Sequence, residues 1–304
     1  MWNLTPAIAA DLETALGPRV LYYIADYWPT LPDAITQHLN APARRPAVRR
    51  LKALLAGAMT RPGRRLADGL RFPHVACVSQ AVLETLTTAG IGMRHTEVIH
   101  NGIDPVQFAP ASTNPKPVGP PIRCLLAGRL TRDKGVFEAI EALSMALDSG
   151  HDVRLTLAGG ATNDEEHSIR DTIRALGVEQ RVSLTGRFAR HQMPVVMGDH
   201  HVLLVPSVWA DPLPRITQEG MAAGLAVIAS RIGGLPELID DGTNGLLVPP
   251  GDARTLADAI GRLAADPQLC QRLAFAGRER VARHFTIRQT IDRIENRLLR
   301  MLAH

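Results

Sequence analysis

Cysteine is scarce in this sequence: 304 residues hold three, Cys77, Cys124 and Cys270. Their number is odd, their spacing is wide and no CxxC pair occurs. That argues against a disulfide framework and a thiolate zinc site, and predicts a reducing, cytoplasmic setting. Long apolar runs are missing as well, and none approaches the ~20 residues of a membrane-spanning helix. The stretch Met1 to Ala10 carries no basic residue, so no secretory leader is expected. Charge of one sign is in small excess: 34 Lys and Arg against 30 Asp and Glu, a net +4. That excess does not by itself indicate nucleic acid. His100, His151, His200 and His201 lack metal-ligand spacing and read as bystanders, so no metal is expected.

What is present fits an α/β protein long enough for two domains. Apolar residues make up 45% and charged residues 21%, with 25 Gly and 22 Pro for many short turns. Nine short apolar runs predict strands: 19–28, 74–79, 96–102, 122–128, 153–160, 181–186, 201–207, 225–230 and 245–250. Most are continuous rather than alternating, as in parallel strands covered by helices on both faces. Helix-period segments such as DKGVFEAIEALSMALDSG lie between them. The expected fold is a doubly wound parallel sheet. The Pro-rich stretch 104–121 has no period and reads as a linker. Three strand candidates precede it and six follow, so the first half is expected to be partial and the second whole.

Two places carry chemistry. In LLAGRLTRDKGV a strand is expected to end at Ala127, followed by Gly128, Arg129 and then Lys134 at a helix start. Cations beyond the carboxyl end of a strand suit an anionic ligand, Arg as a fork and Lys as a point charge. Two solvated loop charges are the plainer reading. In WADPLPRITQEGMAAG, Pro214 fits the first turn of a helix, whose free N–H groups bind phosphate well. Asp211 and Glu219 bracket that anion site without occupying it. Each would accept hydrogen bonds from hydroxyl-bearing rings on either side of a diphosphate. A turn aspartate and an ordinary helix glutamate are the alternatives. Gly233 and Gly234 allow close backbone approach, and Pro236–Glu237 would open another short helix.

The ordered set NGIDPVQF, AGRLTRDKGV, LAGG, RVSLTGRF, VPSVWADPLPRITQEGMAAGLAVIAS and GGLPELIDDGTNGLLVPPGD resembles the nucleotide-sugar half of retaining family-4 glycosyltransferases of the GT-B fold. The likeness covers about Val75 to Phe285. It implies a partial acceptor-side domain over 1–104, the linker 105–121, a nucleotide-sugar domain over 122–285, and a C-terminal helix, 286–304, packing back toward the first domain. The family's paired acids fall on Asp211, toward the donor sugar, and Glu219, toward the ribose. Arg129 and Lys134 match its diphosphate pair. Gly186, Arg187 and Phe188 would lie near the base, with Gly128, Leu213, Pro214, Arg215 and Ile216 completing the donor site. Asp26 falls on the acceptor side.

Three positions depart from the family pattern. Asp211 stands where Glu is usual, Pro214 where many members have Gly, and Ala25 where a His is usual. The resemblance implies retaining transfer from a nucleotide-diphosphate sugar to a glycan or lipid-linked acceptor, as in cell-envelope polysaccharide assembly, with no obligatory metal or other cofactor. Ala25 and the short first half suit an alternative: a catalytically silent nucleotide-sugar-binding module acting with a partner. A sugar-nucleotide epimerase would need further acids in the first half, and none is convincingly placed. The stretch 44–71 is basic, with Asp68 its only acid. It would meet anionic lipid head groups, giving a peripheral place on the inner membrane face, or a phosphorylated glycan carrier, or form a solvated helix face. Nucleic acid is not an expected partner; a second copy or a completing chain is.

Overall fold

The computed structural model describes residues 6–31, 65–109 and 117–303. Most of the basic stretch, 44–64, lies outside the described residues. The chain divides into two compact units, Met1–Ile99 with Glu295–His304, and His100–Ile294.

In the first unit α1 (Pro6–Leu16) leads into β1 (Leu21–Ile24), followed in the described residues by β2 (His74–Cys77), α2 (Gln80–Thr88) and β3 (Thr96–Val98). The three strands pair in parallel in the order β1-β2-β3. Ile24, Val75, Ala76, Cys77, Val82 and Leu86 form the core. Glu13 is buried on α1, and its carboxylate accepts hydrogen bonds from Tyr22 Oη at 2.9 Å, Arg71 N at 2.8 Å and Phe72 N at 2.9 Å. Burial of a carboxylate is tolerable only with its oxygens satisfied in this way. Desolvation, and then Glu13, push the Tyr22 phenol above its ordinary range. Ser79 caps α2, its Oγ accepting from Val82 N at 3.2 Å. From the C-terminal residues of this unit, Arg297 reaches Glu97 at 3.3 Å and His74 Nδ1 at 2.9 Å.

Among the described residues the second unit holds a six-stranded sheet: β4 (Ile122–Arg129), β5 (Val153–Gly160), β6 (Val182–Gly186), β7 (Val202–Val205), β8 (Ala226–Ser230) and β9 (Leu246–Val248). Every pair is parallel and the spatial order is β6-β5-β4-β7-β8-β9. This is the doubly wound arrangement, and the chain reverses its direction of travel between β4 and β7. Strands β7 and β8 are buried along their whole length, which is why they read as unbroken apolar runs. On one face α3 (Val136–Asp148) buries Val136, Ala139, Ile140 and Leu143. It packs beside α8 (Ala253–Ala265), which buries Leu256, Ile260 and Leu263. Between β5 and β8 run α4 (Asn163–Ala175), α5 (Met193–Gly198) and α6 (Arg215–Ala222). The short α7 (Leu235–Leu238), α9 (Pro267–His284) and α10 (Ile287–Leu302) complete the order. Residues Pro105–Phe108 form a 3₁₀ turn with Phe108 buried.

All three cysteines are buried thiols. Desolvation pushes Cys77 up to about 11 and Cys124 up to about 12. Among the described residues no helix is long and apolar enough to cross a membrane.

Candidate donor site

In an open α/β sheet the crevice forms beyond the carboxyl ends of the strands, where the winding reverses. Here that point lies between β4 and β7, so the segments after these strands define the place to look. Strand β4 runs two residues past the expected end, through Gly128 to Arg129, because β5 pairs with it as far as Gly160. A 3₁₀ turn, Arg132–Lys134, follows, and Lys134 stands just before α3 rather than inside it. Gly135 separates the two with φ +71°, and a Cβ there would lie 1.9 Å from Pro206 O. Only glycine fits both that backbone and that contact. The close approach brings the two segments together.

Lys134 Nζ and Asp211 Oδ1 form a close ion pair, with side chains 23% and 12% exposed. Ser207 Oγ donates to Asp211 Oδ2 at 2.7 Å. The main chain adds to this hold, since Val208 N and Trp209 N both donate to Asp133 O, at 3.0 and 3.3 Å. The sequence therefore folds Asp211 into a buried corner where both carboxylate oxygens are engaged. Arg129 is more exposed and pairs with Asp133 at 3.3 Å, not with Asp211.

Pro214 is the N-cap of α6, one residue before the position expected for it. Among the described residues no side chain caps this helix, so its first-turn N–H groups, those of Arg215 and Ile216 foremost, stay available to a ligand. Leu213 is buried, Pro214 and Ile216 are half-buried and Arg215 is exposed. Further along α6, Glu219 is 13% exposed at its side chain and lies 3.5 Å from Arg190. Desolvation raises its carboxyl above the ordinary range, and Arg190 and Arg215 partly offset that. The loop after β8 closes the corner: Gly234 N donates to Asp211 O at 2.8 Å. A Cβ on Gly233 would lie 2.3 Å from Asp211 O, and one on Gly234 1.9 Å from Pro212 O.

Gly186 ends β6, and Arg187 then lies against Gly160. Phe188 lines a cleft of about 620 Å³ with Thr185, His191, Gln192 and Thr156. The structure thus joins Lys134 directly to Asp211 and sets Leu213 to Ile216 and Glu219 on one helix and its entry. Arg129, Arg187 and Phe188 have other local partners. Asp26 belongs to the first unit, is exposed, and accepts from Trp28 N at 2.9 Å in a local turn.

Residues 113–280 match the family described as glycosyl transferases group 1. The chain belongs to that family. Among the proteins it is similar to is the alpha-maltose-1-phosphate synthase of Mycobacterium tuberculosis, 33% identical over 221 residues, covering 64% of this chain and 55% of the relative. The putative colanic acid biosynthesis glycosyltransferase WcaL of Salmonella typhimurium is 28% identical over 214 residues, covering 68% and 52%. The chain spans about half the length of the curated relatives it matches. Among solved structures, Anabaena Alr3699/HepE in complex with UDP superposes with a TM-score of 0.73 at 22% identity, covering 96% of this chain and 75% of that one. The sucrose-phosphate synthase of Thermosynechococcus elongatus gives 0.73 at 24%, covering 98% and 71%. The expected fold therefore holds: parallel α/β sheets of the GT-B group 1 kind.

Several residues of this corner went unread in the sequence. Ser207 and Arg190 reach the two acids, and only the folded chain brings them there. His100, read as a bystander, pairs with Glu237 at 2.9 Å. Gln218 beside Glu219 donates to Asn101 O at 2.9 Å. Asn101 was visible only as part of the NGIDPVQF motif; nothing marked its partner.

Proposed function

We propose that this chain carries the donor half of a retaining glycosyltransferase, moving a sugar from a nucleotide-diphosphate sugar to a glycan or lipid-linked acceptor. The observation that carries the reading is the Lys134–Asp211 pair beside the uncapped start of α6, with Glu219 further along the same helix. The diphosphate would lie at that helix start, with Lys134 and Arg129 as its cations. Asp211 holds Lys134 in place, and a carboxylate has lone pairs beyond the two in use. Those would meet the hydroxyls of the donor sugar. Glu219 would accept from the ribose hydroxyls, and the Gly186–Phe188 loop would lie against the base.

In transfer, the bond from the anomeric carbon to the diphosphate oxygen breaks while the acceptor oxygen bonds on the same face. The acceptor proton passes to the departing phosphate oxygen. Negative charge grows on the diphosphate as it leaves, so fixed N–H groups and cations there stabilise the transition state more than the ground state. The chain's own groups supply that role, without a metal.

The test is calorimetric titration with UDP, GDP and ADP, then with their sugar conjugates, following transfer and the anomeric configuration of the product. Binding of one nucleotide with transfer and retained configuration supports the reading. Binding without transfer moves the chain to a silent binding module. Failure to bind any nucleoside diphosphate sinks the donor site itself. For Asp26, the acceptor-side assignment expects Asp26→Ala to slow transfer and leave donor binding unchanged.

A further inference from the structure

We propose that His100 and Asn101 are positioning residues that hold the two walls of the donor site, a proposal that rests on the donor-site reading above. His100 Nε2 lies 2.9 Å from Glu237 Oε2. Glu237 stands on α7, directly after the double glycine, and its N–H donates to Gly234 O at 3.1 Å. Gly234 N in turn donates to Asp211 O at 2.8 Å. One side chain therefore anchors the loop that closes over Asp211. Asn101 serves the other wall: Gln218 Nε2 donates to its carbonyl at 2.9 Å, and its Nδ2 reaches Leu213 O at 3.5 Å. Leu213 precedes the cap of α6, and Gln218 precedes Glu219.

The two residues are themselves fixed. Thr290 Oγ1 donates to His100 O at 2.9 Å, and the His100 ring tilts against Phe285 with centroids 5.3 Å apart. Arg280 holds the far side of Glu237, donating to its carbonyl at 2.9 Å and to Asp240 Oδ2 at 2.6 Å. His100 is also where the chain enters the second unit. The point of entry thus doubles as the brace between the loop over Asp211 and helix α6.

A brace and an ordinary packing contact make different predictions. A packing contact would change the melting temperature only. A brace changes affinity and depends on hydrogen-bonding capacity at position 100. The experiment titrates the full chain with UDP, GDP and ADP for wild type, His100→Ala, His100→Gln and Asn101→Ala. Amide exchange is followed at 211–219 and 233–237 in the ligand-free proteins. Loss of a hydrogen bond to a charged group predicts about tenfold weaker binding for His100→Ala. His100→Gln, which keeps an N–H toward Glu237, should recover to within about threefold. Gly234 and Glu237 amides should exchange faster in His100→Ala. If His100→Ala fails to fold, Thr290→Val, which frees the His100 carbonyl, should weaken binding in the same direction. Unchanged affinity in His100→Ala or Thr290→Val, or equal losses in the Ala and Gln variants, overturns the proposal. If wild type binds no nucleoside diphosphate, the donor reading has failed, and amide exchange alone decides: faster exchange upholds the brace and unchanged exchange rejects it.

Discussion

Consider Asp211→Asn. The substitution keeps the shape and an oxygen for Ser207 Oγ, which donates at 2.7 Å, but removes the charge facing Lys134. Lys134 is 23% exposed and Asp211 12%, so the pair is largely but not wholly withdrawn from water. Stripping one partner from a fully buried pair costs about 3–5 kcal/mol, because the other charge stays desolvated. An exposed pair is worth under ~1 kcal/mol. The residual exposure places this pair between, at about 2–3 kcal/mol. For a unit of this size, ~1 kcal/mol moves the melting temperature by about 2–4 °C, so Asp211→Asn should melt about 5–10 °C lower. The assay is a double-mutant cycle with Lys134→Met, read by thermal and urea unfolding. Because Met fills the lysine's volume without a charge, the double variant should lose less than the two single losses added together. A coupling energy below ~0.5 kcal/mol would refute the claim that this pair organises the corner.

The other expectations follow from the same geometry. Lys134→Ala should weaken nucleoside diphosphates more than monophosphates; equal losses by calorimetry would move the phosphate site elsewhere. Glu219→Ala should weaken nucleotide binding through loss of the ribose contacts, and unchanged affinity would reject that role. Glu219 binds its proton more tightly in the folded chain than an ordinary glutamate, so the fold gains stability as pH falls through the raised value and loses it as pH rises. Ribose hydroxyls need the carboxylate as acceptor, so affinity should fall on acidification at a higher pH than for a solvated glutamate. Arg190→Ala removes the neighbour at 3.5 Å and should move that loss higher still; an unshifted affinity-against-pH curve would count against the contact. Gly135→Ala meets both φ +71° and Pro206 O, and should cost about 2 kcal/mol or more by denaturant unfolding, with weaker diphosphate binding; a silent variant would remove the close-approach argument.

Much of the fold was legible because parallel strands announce themselves. All nine predicted runs became strands, and the buried runs 201–207 and 225–230 became β7 and β8. Their ends were harder. Ala127 looked like the end of a strand because Gly128 follows it, yet pairing to Gly160 carries β4 on to Arg129. Pairing is a property of the neighbour, which local sequence does not contain. The corner was legible in the same partial way. Lys134 and Asp211 stood out as charges beside strand ends, but their contact spans 77 positions and depends on the glycine between β4 and α3. His100 and Glu237 are 137 positions apart, and the histidine carried no spacing signal. A charge at a strand end is readable from a string of letters; the partner that neutralises it is set by topology.

The three thiols have a practical use that follows from where they are buried. Cys77 lies in the three-stranded sheet of the first unit, while Cys124 and Cys270 lie in the core of the second. Burial keeps Cys77 and Cys124 protonated near neutral pH, so neither should react with an alkylating reagent until its surroundings open. Each unit therefore carries its own built-in reporter. Partial alkylation under mild denaturant, read by peptide mass, would give the order in which the two units unfold, with no substitution in the sequence.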